Sequence, residues 1–293
     1  MTAIDRLRSA LGASAGRRGL QWYFDRNDGR LIDKWSHYFD AYEAHFGRFR
    51  GRSPRLLELG ISHGGSLEMW RWYFGASATI VGIDIEERVA ELDGGGAHVH
   101  VGSQSDPEFL ASLVERYGPF DIVIDDGSHW YADQRASLHA LWDAVAEGGV
   151  YLVEDVHTSY IERYEGGLGR DDTFIGETRR LIDELHGFWH ADGADDMHGT
   201  VDTSSAWTGT LGGIHVYDSI VVLDKISRER PTRRMTGRPA FDDIYGYPAD
   251  EMIDDAHRAQ LASLNRPAAR LRRAARDPRG AWARVRGRIG RPS

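Results

Sequence analysis

The sequence predicts an open α/β fold, in which helices cover both faces of a mostly parallel, doubly wound β-sheet. Short apolar runs alternate with segments of helical periodicity from residue 55 onward. These runs are continuously apolar, which is typical of strands buried on both faces rather than on one. The last two apolar runs lie only a few residues apart, and this spacing predicts an antiparallel hairpin at the sheet edge.

The predicted elements follow one another in a regular strand–helix order. The first strand, RLLELGI (55–61), leads into the helix SHGGSLEMWRWYF, and the second strand is TIVGIDI (79–85). The helices DPEFLASLVERYG (106–118) and YADQRASLHALWDAVAEGG (131–149) follow. The remaining predicted elements are the strands HVHVG (98–102), FDIVIDD (120–126) and VYLVEDV (150–156), a helix over 172–188, and the hairpin GIHVYDSIVVLDK (213–225).

Residues 1–50 are predicted to form a helical extension before the α/β domain. Trp35, Tyr38, Phe39 and Tyr42 recur at helical spacing, which predicts an amphipathic helix from Ile32 to Phe46. Two interpretations remain open for its aromatic face. The face packs on the α/β domain, or it forms a wall of a substrate pocket.

The α/β domain is predicted to span residues 51–228. Within it, the acidic and glycine-rich stretch 190–212 is expected to be a mobile loop at the acceptor pocket, because long irregular insertions are usually functional or mobile. Residues 229–293 form a C-terminal extension that ends in an arginine-rich tail.

Charge and cysteine content restrict the functional class. The net charge is −9, but the last 28 residues hold ten arginines and one acid, so the remainder carries −18. An acidic body argues against nucleic-acid binding, which needs a basic face. The tail is interpreted as a solvated terminus, with peripheral contact to an anionic membrane as the alternative. Cysteine is absent and no apolar run approaches the ~20 residues of a transmembrane segment, so we expect a cytoplasmic protein.

A glycine-containing loop, LELGISHGGS, joins the first predicted strand to its helix, where open sheets bind nucleotides. The dinucleotide-binding pattern requires G-x-G-x-x-G, but Ser62 replaces its second glycine, so close approach of a pyrophosphate is disfavoured. Glu58 would repel a diphosphate and attract a cationic group. Asp84 ends the second strand, where a carboxylate binds a ribose diol. The loop therefore favours S-adenosylmethionine over NAD.

Acidic residues follow two further strands. Asp126 and His129 lie in the turn after the fourth predicted strand, and Glu154 and Asp155 end the fifth. Because the carboxyl ends of neighbouring strands meet at one edge, we expect these side chains to converge beside the cofactor. A hard divalent cation would relieve the repulsion among the carboxylates, and oxygen ligands suit Mg²⁺ better than zinc.

Together these motifs resemble the class I S-adenosylmethionine-dependent methyltransferases. Over residues 32–225, the glycine loop, VGIDI, DDGSH and the ED pair are most similar to the metal-dependent sugar O-methyltransferases of macrolide biosynthesis. Related rhamnosyl O-methyltransferases and cephalosporin-hydroxylase-like proteins share much of the pattern. The resemblance implies a Rossmann-like class I methyltransferase sheet, S-adenosylmethionine and Mg²⁺ as cofactors, and a homo-oligomer.

The resemblance also implies roles for individual residues. Asp126, Glu154 and Asp155 would bind Mg²⁺, and His129 would be the general base. The predicted cofactor contacts are Glu58, Gly60, Ser62, Gly64, Ser66, Asp84, Ile85, Ser103, Gln104 and Asp125. The candidate acceptor contacts are Trp130, Tyr131, His157, Tyr160 and Trp207.

The expected activity is therefore O-methylation of a sugar hydroxyl, with S-adenosylmethionine as donor and Mg²⁺ at the acceptor. The sugar would belong to a glycosylated natural product, a glycolipid or an oligosaccharide. Two alternatives stay open on the same fold: an NAD-dependent oxidoreductase and a cephalosporin-hydroxylase-like tailoring enzyme.

Overall fold

A computed structural model describes residues 18–190 and 205–231 of the 293-residue chain. In this part of the chain, seven strands form one sheet in the order β3-β2-β1-β4-β5-β7-β6. The strands are β1 (Arg55–Leu59), β2 (Thr79–Asp84), β3 (His98–Val101), β4 (Phe120–Asp125), β5 (Val145–Val153), β6 (Leu211–Tyr217) and β7 (Ile220–Lys225). The helices are α1 (Leu20–Phe24), α2 (Tyr38–Phe46), α3 (Gly65–Phe74), α4 (Pro107–Tyr117), α5 (Tyr131–Leu141), α6 (Phe174–Leu185) and α7 (Gly187–His190).

The predicted sheet architecture is confirmed. Strands β1 to β5 pair in parallel, whereas β7 runs antiparallel to both β5 and β6. The edge hairpin turns through Asp218 and Ser219, and it inserts β7 between β5 and β6. The strand order reverses between β1 and β4, and at such a switch point the loops that leave the two strands diverge and open a crevice.

Successive residues of the central strands face two hydrophobic cores on opposite sides of the sheet. Leu56 and Ile122 pack on one side with α1, α2 and α3, and Leu57 and Val123 pack on the other with α4, α5 and α6. Because side chains of a strand alternate in direction, a strand covered on both faces must be apolar at every position. This requirement explains the unbroken apolar runs of the sequence.

The helix predicted over Ile32–Phe46 is shorter in the structure and begins at Tyr38. The preceding residues cross the start of α3 in a non-helical conformation. Gly65 permits this crossing, because a Cβ at Gly65 would lie 2.2 Å from the carbonyl oxygen of Leu31. Tyr38, Phe39 and Tyr42 are buried, as expected of a packed helix face, whereas Trp35 is 55% exposed.

The helix predicted over residues 131–149 also ends early, at Leu141. A short 3₁₀ turn over Trp142–Ala144 follows, and β5 begins at Val145. Trp142 is buried and donates its indole N–H to the hydroxyl of Thr210 at 2.9 Å. This anchor turns the chain into the sheet before the predicted helix end.

Three predicted segments lie partly or wholly outside the described residues. They are the N-terminal residues 1–17, most of the predicted 190–212 loop, and the arginine-rich tail. Among the helices of residues 18–190 and 205–231, none has the length and apolar character needed to cross a membrane.

Candidate active site

A cavity of about 500 Å³ opens at the carboxyl ends of the parallel strands. This volume lies within the range of small-molecule sites. The loop after β1 and the ends of β2 to β5 form most of its wall, and residues 31–35 with Tyr38 close the opposite side. The cavity therefore lies at the switch point where the strand order suggested a binding crevice.

The glycine loop is held tightly against the strands. Gly60 has φ of +83°, and a Cβ there would lie 2.2 Å from the carbonyl oxygen of Asp126. Asp84 accepts the backbone N–H groups of Ile61 and Ser62 at 3.0 and 2.9 Å. The carboxylate at the end of β2 thus fixes the loop as well as facing the cavity.

Most of the predicted cofactor residues line the cavity, and three do not. Gly64 caps the start of α3, and Glu58 is fully buried and accepts the Ser66 hydroxyl at 2.8 Å. Burial raises the pKa of Glu58 to about 7. The predicted contacts that line the cavity are Gly60, Ser62, Ser66, Asp84, Ile85, Ser103 and Gln104.

The third exception, Asp125, corrects a prediction. Its carboxylate was expected to face the cofactor, but it is fully buried and accepts Gln104 Nε2 at 3.0 Å and Ser137 Oγ at 2.5 Å. Burial raises the pKa of Asp125. Gln104 in turn accepts the backbone N–H of Ser128 at 2.7 Å. Asp125 therefore fixes the turn that carries His129, instead of contacting a ligand in the cavity.

Asp126, His129 and Asp155 converge at the cavity wall. The Nε2 atom of His129 lies 4.0 Å from Asp126 Oδ1 and 3.5 Å from Asp155 Oδ2. The three donor atoms all lie within 4.8 Å of one another. His129 and Asp155 both have positive φ, at 61° and 53°. Such conformations cost about 1–3 kcal/mol in non-glycine residues, so the surrounding structure must impose them.

Lys34 is the site residue that the sequence prediction missed. Its side chain is only 2% exposed, and its ammonium contacts the carboxylate of Asp126 and lies 2.9 Å from Glu154 Oε2. Burial works against the ammonium, but the charges of Asp126 and Glu154 outweigh it and raise the pKa of Lys34 above its usual value. One sequence signal was available, since Lys34 is one of only two lysines among 36 basic residues.

Glu154 lies behind this ammonium rather than in the convergent group. Its Oε1 atom accepts the hydroxyl of Tyr42 at 2.6 Å, and its Oε2 atom accepts Lys34. Burial, together with the charge of Asp126, raises the pKa of Glu154 to about 8. Two of the three predicted metal ligands thus meet His129, and the third is engaged by Lys34 and Tyr42.

The five predicted acceptor contacts are all described, and none of them lines the cavity. Trp207 packs against Trp142 in the core, and the Tyr131 hydroxyl donates to Glu177 at 3.2 Å. The ring of Trp130 lies edge-on to the ring of Tyr164, His157 contacts Ser219, and Tyr160 is 49% exposed. The aromatic side chains that do line the cavity are Trp35 and Tyr38, from the N-terminal segment.

The chain is similar to several known proteins. Residues 44–156 match a family model described as a methyltransferase domain. The 8-demethyl-8-(2-methoxy-alpha-L-rhamnosyl)-tetracenomycin-C 3'-O-methyltransferase of Streptomyces olivaceus is 38% identical over 207 residues, which are 66% of this chain and 51% of that protein. Mycinamicin VI 2''-O-methyltransferase of Micromonospora griseorubida is 35% identical over 203 residues, which are 64% of this chain and 48% of that protein.

A solved structure shares the fold. The MycE methyltransferase from the mycinamycin biosynthetic pathway, in complex with Mg and SAH, is 30% identical with a TM-score of 0.65, and the match covers 73% of this chain and 56% of that one. The chain spans about half the length of the curated relatives it matches. Residues 44–156 thus match a methyltransferase domain, the described fold is that of the MycE methyltransferase, and the chain is similar to O-methyltransferases of the tetracenomycin and mycinamicin pathways.

Proposed function

We propose that this protein transfers a methyl group from S-adenosylmethionine to a hydroxyl group of a sugar carried by a natural product, with Mg²⁺ bound beside the acceptor. One observation carries the proposal. The nucleotide-type loop and the group formed by Asp126, His129 and Asp155 face the same cavity. The named relatives are O-methyltransferases of a rhamnosyl tetracenomycin and of mycinamicin VI, which favours a glycosylated natural product over a glycolipid or an oligosaccharide.

The wall around the glycine loop suits a cationic nucleoside. Asp84 accepts three backbone N–H groups, from Ile61, Ser62 and Glu86, and a carboxylate offers about four acceptor positions. One position therefore remains for a ribose hydroxyl. S-adenosylmethionine supplies a methyl group on a sulfonium ion and leaves as a neutral thioether, so carboxylates that line the cavity, such as Asp84 and Asp126, favour the charged donor over its product.

The donor set fits a divalent cation. Asp126 and Asp155 offer carboxylate oxygens, the ligands that Mg²⁺ prefers, and the His129 nitrogen lies within 4.8 Å of both but is left to take the acceptor proton. A bound cation would lower the pKa of an acceptor hydroxyl and hold that hydroxyl in place. Glu154 would support the site from behind, through its contacts with Lys34 and Tyr42.

His129 is the proposed general base. During transfer, the hydroxyl oxygen forms a bond to the methyl carbon, the carbon–sulfur bond breaks, and the hydroxyl proton moves to the imidazole. Asp155 and Asp126 lie 3.5 and 4.0 Å from Nε2, so they favour the imidazolium that forms. Trp35 and Tyr38 provide an aromatic wall on which a sugar face can pack.

A methyl-transfer assay over a panel of glycosides tests the function, with the methylated hydroxyl located by NMR. Turnover should stop in EDTA and return with Mg²⁺. Turnover that persists at the same rate in EDTA would contradict the metal role. If calorimetry detected no binding of S-adenosylmethionine, the whole proposal would fail.

Oxidoreductase and hydroxylase activities are less well supported. The loop lacks the glycine pattern of NAD sites, and the matched family model is a methyltransferase domain. A fluorescence titration with NADH tests the oxidoreductase alternative. If the protein is a methyltransferase, no saturable binding of NADH is expected.

A further inference from the structure

The cavity contains a buried ammonium group. The side chain of Lys34 is 2% exposed, and it contacts two of the three carboxylates predicted to bind the metal. Glu58 is a third acid whose charge acts on Lys34. The only other lysine of the chain, Lys225, lies outside the cavity, against the ring and carbonyl oxygen of Trp142. Lys34 is therefore a component of this site, and the chain holds a matched buried lysine elsewhere.

The charges at this wall require a cation. Glu154 is buried and Asp126 is partly buried, and both carboxylates contact the same ammonium, so without it their negative charges would repel each other. An unpaired buried lysine would be equally unfavourable. The ion pairs of Lys34 satisfy both requirements in the chain itself. The acid cluster can thus keep its geometry when no metal is bound.

The backbone holds Lys34 in place. Residues 30 and 31 lie against the first turn of α3, and the side chain of Asn27 donates to the carbonyl oxygen of Arg30 at 2.7 Å. A Cβ at Gly65 would lie 2.2 Å from the carbonyl oxygen of Leu31 and 2.5 Å from that of Arg30, so this segment already packs closely on α3 and has no room to move toward it. The ammonium is therefore delivered by a fixed segment and not by a mobile surface side chain.

We propose that Lys34 is a resident cation of the metal site, which orders Asp126 and Glu154 in the metal-free protein and competes with a divalent metal ion for Asp126. This inference rests on the proposed function, because it assumes that the metal binds at Asp126 and Asp155. It makes Lys34 a positioning residue that sets metal affinity. It also predicts opposite effects of losing the ammonium: lower stability of the metal-free protein and tighter binding of the metal.

A purely structural ion pair predicts a different result. If the ion pairs of Lys34 only stabilise the folded protein, removal of the ammonium would lower stability and would leave Mg²⁺ affinity unchanged or weaker. If the Lys34 ammonium and Mg²⁺ compete for the same carboxylate, removal of the ammonium should instead increase Mg²⁺ affinity. Since like charges a few ångströms apart repel strongly at the low effective dielectric of a protein, we expect Lys34→Met to bind Mg²⁺ at least about tenfold more tightly.

Calorimetry with Mg²⁺ alone compares wild-type protein, Lys34→Met and the control Lys225→Met. Both variants lose the contacts of a buried lysine, so both should melt at lower temperature than wild type. Only Lys34→Met should gain Mg²⁺ affinity, and only its melting temperature should rise more on adding Mg²⁺ than that of wild type. Unchanged or weaker Mg²⁺ binding by Lys34→Met would overturn the proposal.

A second measurement uses the wild-type chain and does not depend on the folding of a variant. Protein labelled with [¹³Cε]-lysine gives two side-chain resonances, which the spectrum of Lys225→Met assigns. Titration with Mg²⁺ should shift the Lys34 resonance and leave the Lys225 resonance in place. A Lys34 resonance that does not move at Mg²⁺ saturation would overturn the inference.

The two proposals fail in different ways. Calorimetry that shows binding of S-adenosylmethionine, together with Mg²⁺-dependent turnover, would preserve the function even if Lys34 gave no response. Absence of S-adenosylmethionine binding would remove the function. A Lys34 response to Mg²⁺ would in that case establish a metal site of another activity.

Discussion

Two residues of the proposed site, His129 and Asp155, combine a charged or titratable side chain with a left-handed backbone. Neither is glycine, so each conformation costs free energy that neighbouring contacts must offset. Around His129 the buried Asp125–Gln104–Ser128 chain supplies these contacts, and next to Asp155 the Tyr38 hydroxyl bonds the carboxylate. The two side chains are thereby aimed at the same point of the cavity.

Replacing His129 with alanine should lower kcat by ~10²–10⁴-fold, because a general base contributes about this much to proton transfer. Binding of S-adenosylmethionine should stay within about twofold, since the imidazole lies among the acids and not in the glycine loop. Initial rates at saturating Mg²⁺ and calorimetry with S-adenosylmethionine measure the two effects. His157→Ala is the matched control, because His157 lies 3.7 Å from Asp155 and outside the cavity wall. An unchanged rate in His129→Ala would remove the base assignment.

Sequence reasoning located the acids but not all of their orientations. Adjacent residues of a strand face opposite sides of the sheet, so Asp125 and Asp126 cannot both point into the cavity. Asp125 follows Val123 in its direction and enters the core on the other side, whereas Asp126 follows Ile124. Lys34 was missed for another reason. Its partners are 92 and 120 residues away, and no local pattern predicts such contacts.

Among the elements, the strands were predicted more accurately than the helix boundaries. An apolar run bounded by polar residues reports burial in a sheet directly, and each predicted strand is present. Aromatic spacing over Ile32–Phe46 could not reveal that Gly65 lets the chain cross α3 before α2 begins. The boundary was fixed by a tertiary contact, which local periodicity does not contain.

That crossing predicts an unusual effect of Gly65→Ala. In an isolated helix alanine is more favourable than glycine by about 1 kcal/mol. Here the added Cβ would lie 2.2 and 2.5 Å from the carbonyl oxygens of Leu31 and Arg30, so the variant should melt at lower temperature. Gly209→Ala is the control, because a Cβ there meets no atom within 4 Å. Thermal unfolding of the two variants tests this prediction. A higher melting temperature for Gly65→Ala than for wild type would show that the segment carrying Arg30 and Leu31 moves aside at little cost.

Helix α2 also carries a histidine whose ionisation should affect stability. His45 is buried beside His215, Asp224, Arg48 and Tyr217, and its ring lies 3.0 Å from the Tyr217 hydroxyl. Burial and the charge of His215 lower the pKa of His45 from 6.5 to about 4. Between these values the unfolded chain binds a proton that the folded protein does not, so stability falls as the pH drops from about 6.5 toward 4.

The test is the free energy of unfolding as a function of pH, from 7.5 to 4.5, for wild type and His45→Phe. The wild-type curve should fall more steeply over this range, because the variant lacks the group that protonates on unfolding. Arg48 keeps its charge throughout, and the lowered pKa of Asp224 places its effect at more acidic pH. Parallel curves for the two proteins would contradict the assignment.

At the scale of the whole molecule, the Lys34 ammonium should allow the chain to fold without bound metal. In many small metalloproteins the metal-free chain is unfolded, because metal binding supplies much of the free energy of folding. In this chain Lys34 already offsets part of the charge of Asp126 and Glu154, and a hydrophobic core covers each face of the sheet. Removal of metal should therefore affect chemistry far more than folding.

EDTA should abolish methyl transfer while leaving a cooperative unfolding transition within a few degrees of that of the Mg²⁺-loaded protein.

Adding S-adenosylmethionine at a hundred times its Kd should stabilise the folded state by about 2.7 kcal/mol, which for a domain of this size raises Tm by roughly 5–10 °C. NAD at the same concentration should leave Tm unchanged, because the glycine loop lacks the pyrophosphate pattern. Scanning fluorimetry with parallel rate measurements tests all three statements. Loss of the transition in EDTA would show that the ammonium does not substitute for the metal in holding the acids, and an equal shift with NAD would return the oxidoreductase interpretation to consideration.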